Sequence, residues 1–152
     1  MKFAVMAAGL LLAGTIEAVA GTKNVSLAPV PYEIRLPEAI ADNLAVEAGT
    51  GPWADDLKKG GGDAVSVVFY KSANGGRAVL MSVYLFPEEK FDAAKNPDEP
   101  PAFGREVIRR NGKVLSVAGP QDTIFDPETV DGKNVVASND LIYDPQNYTP
   151  TE

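Results

Sequence analysis

Apolar residues recur at every second position in several stretches of this chain, the period of a strand with one buried face. Tyr32, Ile34 and Leu36 alternate with Glu33 and Arg35, and Pro37 ends the run. Leu44–Ala48 reads as a shorter second strand, closed by Gly49 and Gly51. Val65–Tyr70 and Ala78–Leu85 are denser in β-branched and aromatic residues, at both alternate sets of positions. Both faces of that pair are therefore expected to be covered, with Val67, Val68, Phe69, Leu80 and Met81 in the core. Asn74-Gly75 lies between the two runs and suits a two-residue type I′ turn, since Asn and Gly tolerate its positive φ angles. That turn opposes Phe69 to Leu80, Val67 to Ser82, Val68 to Met81 and Tyr70 to Val79. A second Asn-Gly pair, Asn111-Gly112, joins Arg105–Arg110 to Lys113–Gly119 and sets Ile108 opposite Leu115 before Gly119-Pro120 stops the strand.

Helical signals are shorter. Trp53–Lys59 accommodates one or two turns before Gly60-Gly61-Gly62 breaks them. The triple glycine reads as a loop and not as a phosphate cradle, because a strand follows it where a phosphate-binding loop requires a helix. Pro87-Glu88-Glu89 opens a helix with its acids at the positive end of the helix dipole, and Asn96-Pro97 stops it after about Ala94. Asn96–Pro101, with three prolines, is an exposed connector. Lys133–Leu141 is a closing helix with Val135, Val136, Leu141 and Ile142 as its buried side. Residues 21–31, with Pro29 and Pro31, read as an extended arm, and residues from Asp144 onward as a polar tail. The sum is a single α+β domain: a mostly antiparallel sheet of five or six strands with two or three short helices.

The first twenty residues follow another pattern. Lys2 precedes an apolar run from Phe3 to Ala13, and Ala18-Val19-Ala20 fits the small-x-small cleavage rule of a signal peptide. The run is too short to cross a bilayer, which takes ~20 residues as a helix. Cleavage near Ala20 starts the mature chain at Gly21 and places it in the periplasm or outside a bacterial cell. The leader holds one base, Lys2, and one acid, Glu17, so its removal leaves the net charge at −7. An acidic balance of this kind argues against nucleic acid and anionic membrane surfaces as partners. The one basic cluster, Arg105, Arg109, Arg110 and Lys113, is interleaved with Glu106 and reads as a solvated strand face.

The chain has neither cysteine nor histidine. An exported domain of this size is then held by its core alone, which suits a bacterial exterior better than a eukaryotic secretory route. Ser-His-Asp and Cys-His catalysis are excluded, as are the usual zinc, copper and haem sites. Carboxylate chemistry remains, with Glu88 and Asp122 as candidates for a two-carboxylate hydrolase. The loop from Gln121 to Gly132 gathers Asp122, Asp126, Glu128 and Asp131, but their spacing misses the alternate-position pattern of a calcium loop and no closing glutamate follows. Ser138-Asn139-Asp140 resembles a fragment of penicillin-recognising enzymes, yet the chain has no Ser-x-x-Lys to supply a nucleophile. Among the aromatics, Tyr70, Tyr84 and Phe86 belong to strands and read as core. Trp53, between Gly51-Pro52 and Asp55-Asp56, is the candidate partner-binding residue.

Tyr84-Leu85-Phe86-Pro87-Glu88-Glu89-Lys90-Phe91, then Gly104-Arg105-Glu106-Val107, then Gly119-Pro120-Gln121-Asp122 with Phe125-Asp126-Pro127 form an ordered set of short motifs. Their order resembles that in small exported bacterial proteins of unknown activity with a PsbP/Mog1-like α/β sandwich. The resemblance spans roughly residues 65–141 and implies that fold, without catalytic residues. The chain departs from the pattern in its brief closing helix and in lacking a lipobox cysteine. Taken together, these features lead us to expect an exported, non-catalytic domain that binds a protein or peptide partner, without metal or cofactor. The alternatives are a carboxylate hydrolase and a calcium-dependent module built on Asp122 to Asp131.

Overall fold

The computed structural model describes residues 21–120, Asp122 and residues 124–152. The leader expected over residues 1–20 lies outside the described residues. Among the described residues, eight strands form two antiparallel sheets, and four short α-helices join or flank them. The strands are β1 (Thr22–Ser26), β2 (Tyr32–Pro37), β3 (Leu44–Ala48), β4 (Ala64–Lys71), β5 (Arg77–Pro87), β6 (Arg105–Arg110), β7 (Lys113–Ala118) and β8 (Tyr148–Pro150). The helices are α1 (Glu38–Ala41), α2 (Pro52–Lys59), α3 (Glu88–Ala93) and α4 (Val130–Leu141). The small sheet runs β1-β2-β8 and the large one β3-β4-β5-β7-β6. The architecture is the α+β class expected, with β1, β8 and α1 added to it.

The added strands correct the arm and the tail. Thr22–Ser26 pairs antiparallel with β2, and just beyond it Leu27 and Val30 are fully buried. The buried Ser66 hydroxyl donates to the Leu27 carbonyl and accepts from the Val30 amide, so this turn is held down and does not extend into solvent. At the other end, Tyr148 is buried and its hydroxyl donates to the Ile142 carbonyl at 2.5 Å, while Tyr148–Pro150 pairs with β2. Neither segment shows a period-two pattern. Each is recruited by backbone pairing to an existing strand, together with one or two apolar anchors.

The large sheet has an inner and an outer face. Val68, Tyr70, Leu80, Met81, Val83, Leu85, Leu115 and Val117 point inward, where Ile34 and Leu36 of the small sheet, Ile40, Val135 and Ile142 complete the main core. α4 begins at Val130, earlier than expected, because Thr129 caps it by accepting from the Gly132 amide at 3.0 Å. Its buried side is Gly132, Val135 and Ser138; Val136 is 57% exposed, which corrects its assignment to the core. The outer face carries a second cluster of Val65, Tyr84, Phe86, Phe91 and Val114, closed by Leu57 of α2 and by Phe103.

The β4–β5 register explains which outer-face residues are covered. Pairing from Ala64–Leu85 through Val68–Met81 is as expected. Beyond a bulge it slips by one, so Phe69 faces Val79, Tyr70 faces Ala78 and Lys71 faces Arg77. The expected pairs Phe69–Leu80 and Tyr70–Val79 do not form. The turn is the cause: Gly75 has φ +92° and donates to the Ser72 carbonyl at 3.1 Å, and Ser72 donates to Gly76 at 2.7 Å. The loop is therefore the three residues Ala73-Asn74-Gly75, a tight turn followed by a left-handed glycine, and not a two-residue type I′ turn. Leu80 is the extra residue that restores the register. It joins Met81 on the inner face and sends Val79 outward. At the other hairpin Asn111 (φ +52°) and Gly112 (φ +75°) do form the expected two-residue turn, with Ile108 opposite Leu115.

Candidate functional site: the open half of the outer sheet face

α2, α3 and the connector carrying Phe103 cover only the part of the outer face above Val65, Tyr84, Phe86 and Val114. The remainder, toward the hairpin tip and β3, lacks a covering element among the described residues. There Val79 is 42% exposed, while Val67 and Phe69 are half-buried. The expectation that both faces of the β4–β5 pair are covered is thus corrected: the inner face is sealed, the outer one only in part. Val67, Phe69, Val79, Ser82, Ala48 and Trp53 line a shallow concavity of about 450 Å³, with Glu47 and Arg77 at its rim.

Trp53 stands on the boundary between the covered and open halves. Gly51 (φ +96°) turns the chain out of β3, and Pro52 starts α2, so Trp53 falls in the first helical turn above the sheet. Its ring reaches back over Gly49: a Cβ there would lie 3.3 Å from Trp53 Cη2 and 2.7 Å from Val65 Cγ1. Trp53 is 43% exposed and also borders a second concavity with Asp56, Leu57, Tyr84, Ala102 and Phe103. The other aromatics named with it are not surface groups. Tyr84 and Phe86 belong to the outer cluster, where Phe86 and Phe103 have ring centroids 4.6 Å apart, and Tyr70 lies in the inner core.

At the rim Arg77 spans three strands. Its backbone pairs with Lys71, its guanidinium carbon sits 4.0 Å over the Phe69 ring, and its Nη1 donates to Glu47 of β3. The site therefore presents apolar and aromatic surface with one ion pair at its rim. Val79, Arg77 and Glu47 escaped the sequence reading. The only signal for Val79 and Arg77 was the second glycine after Asn74, which allows a three-residue loop without requiring it.

The carboxylates weighed for chemistry are dispersed. Glu88 lies at the start of α3 on the outer side, 3.4 Å from Arg109. Asp122 borders a groove with Val135 and Asn139 of α4 on the inner side, so the two do not meet. Asp131 is part of α4 and no longer a loop residue: its carboxylate accepts from the Tyr70 hydroxyl at 2.8 Å and the Ala73 amide at 3.2 Å. Asp126 accepts from the Glu128 amide. Among the described residues no group of three or more Asp or Glu is placed to hold a metal ion. The densest charged cluster is Arg109, which reaches Asp92 and Glu106 at 2.7 Å each and fastens α3 to β6. Its hydrogen bonds hold the Asp92 carboxyl at about 2 and lower that of Glu106.

Among the described residues no helix is long and apolar enough to cross a membrane. Comparison with known proteins returns no matching family model, no matching curated protein and no matching solved structure.

Proposed function

We propose that this chain is an exported, non-catalytic bacterial domain that binds a protein or peptide partner on the open half of its outer sheet face. The observation that carries the reading is the exposure of Trp53 and Val79 beside half-buried Val67 and Phe69 on the outer face of a sheet whose inner face packs on the main core. Apolar surface gathered at one place and rimmed by polar groups is the usual mark of an interaction site. A tryptophan at its border supplies the large, rigid contact on which such interfaces depend. Export is supported by Lys2, the apolar run and Ala18-Val19-Ala20, and a non-catalytic role by the absence of histidine and cysteine and by the dispersal of Glu88 and Asp122.

The test places a photo-crosslinking amino acid at Val79 and, as control, at Val136, which is exposed on α4. Expressed in an exporting bacterial host, the Val79 position is expected to give a discrete adduct that Val136 does not. The partner identified from it, once purified, should bind the domain at least tenfold more weakly after Trp53→Ala. Equal adducts from both positions, or a purified partner indifferent to Trp53, would contradict the reading.

A further inference from the structure

Building on that reading of the face, we propose that the partner is an extended polypeptide segment that adds as a sixth strand alongside β3. β3 is one edge of the large sheet. Gly49 donates to the Val65 carbonyl and Lys71 donates to the Asn43 carbonyl, which makes residues 43, 45, 47 and 49 the ones bonded to β4. By the alternation of an antiparallel ladder, the N–H and C=O groups of Leu44, Val46 and Ala48 point the other way, to the open edge. Among the described residues nothing bonds to them across that edge.

The four sheet edges are not alike. β6 carries Arg105, Glu106, Arg109 and Arg110 and is interrupted by a register shift at Val107. β1 carries Lys23 and Asn24, and β8 is three residues long and ends in Pro150. Charge, bulge, shortness and proline are the devices that keep edges from pairing with other chains. β3, Leu44-Ala45-Val46-Glu47-Ala48, has one charge, and Glu47 is turned back to Arg77. Its inner-face residues Leu44 and Val46 are only half-buried, so an added strand would complete their burial. On the outer face the same strand would run beside Ala45 and Glu47, at the margin of the concavity that holds Trp53. Main-chain bonds with pockets for alternate side chains are the pattern of strand addition. The domain's charge of −7 favours a segment with basic ends.

The probe is an acetylated, amidated peptide Lys-Val-Thr-Val-Thr-Val-Lys, titrated into residues 21–152 by calorimetry. A second peptide of the same sequence has every amide of its Val-Thr-Val-Thr-Val run N-methylated, which removes the donors of both strand edges and leaves the side chains. Val46→Pro removes the central donor of β3 at a position where an edge strand accommodates proline, and Val46→Thr keeps it. Saturable binding is expected, weakened at least tenfold by N-methylation and by Val46→Pro and unchanged within about twofold by Val46→Thr. If Val46→Pro impairs folding, the N-methylated peptide on the unaltered protein decides alone. If neither N-methylation nor Val46→Pro matters but Trp53→Ala weakens binding, strand addition is overturned and the binding face stands. If the unmodified peptide does not bind at all, strand addition is overturned, and the face is judged by its crosslinking partner. A dimer by light scattering that Val46→Pro turns into a monomer overturns the proposal by giving the edge to a second copy of the chain.

Discussion

The guanidinium of Arg77 lies 4.0 Å above the ring of Phe69, on the half of the outer sheet face that no helix covers among the described residues. A ring at the centre of a strand would ordinarily be sealed by a packed element. Here a single cation shields it, in a geometry worth about 0.5–1 kcal/mol at an exposed site. Phe86, on the same face beneath α2 and α3, is fully buried and packs against Phe91 and Phe103. Phe86→Ala should therefore cost about 3–5 kcal/mol, as for a buried aromatic. Phe69→Ala should cost clearly less. Urea denaturation of both variants checks this, and equal losses would mean that the outer face is sealed throughout.

Asp131 ties the start of α4 to the first hairpin, through the Tyr70 hydroxyl and the Ala73 amide. Removing it leaves the buried Tyr70 hydroxyl with Asn134 alone and the Ala73 amide without that partner. Asp131→Ala should destabilise the fold by about 1–3 kcal/mol. Because Asp131 is engaged in this way, millimolar calcium should leave the melting temperature unchanged. A rise with calcium but not magnesium, abolished by Asp126→Asn, would instead revive a calcium site in the 122–131 segment.

Acid sensitivity should trace to Arg109. Its hydrogen bonds hold Asp92 at about 2, below the usual 3.8, and lower Glu106 in the same sense. A carboxyl depressed in the folded state contributes stability that is fully present above its unfolded value and is lost as pH falls toward its folded one. The contribution is therefore present above about pH 4 and fades between pH 4 and 2. Denaturation midpoints followed over pH 2–6 should fall less steeply in Arg109→Gln than in the unaltered protein. Parallel curves would show that the cluster contributes nothing to acid stability.

These features were unevenly legible in the sequence. Asn111-Gly112 sits between strands whose polar and apolar residues fit only one register, so its turn and the Ile108–Leu115 pair could be read directly. Asn74-Gly75-Gly76 was ambiguous, because the extra glycine allows a three-residue loop, and the compensating bulge at Leu80 leaves no trace in a run where every neighbour is apolar. The assignment of Val67 and Phe69 to the core failed for that reason: apolar density at both alternate positions cannot say whether a second layer exists to cover them. Thr22–Ser26 and Tyr148–Pro150 were invisible as strands because backbone pairing to β2 determines them. Trp53 was legible as an exposed loop-borne aromatic, but the surface it belongs to was not, since Val79 and Arg77 reach it only through the shifted register.

The leader carries its own prediction. If Ala18-Val19-Ala20 is cleaved, protein recovered from an exporting bacterial host should begin at or near Gly21. Intact-mass measurement of the secreted or periplasmic fraction checks it, and retention of residues 1–20 in soluble protein would contradict it. β1 begins at Thr22, so such a cleavage leaves every described strand whole.

Trp53 is the chain's only tryptophan, which makes its emission a direct reporter of the proposed binding face. The decisive measurement is acrylamide quenching of that emission, in the protein alone and at saturation with the partner identified by crosslinking at Val79. With Trp53 43% exposed, quenching of the protein alone should be efficient and should fall at least twofold on saturation. Weak quenching in the protein alone, or quenching that stays the same once the partner is bound, would contradict a binding face that includes Trp53.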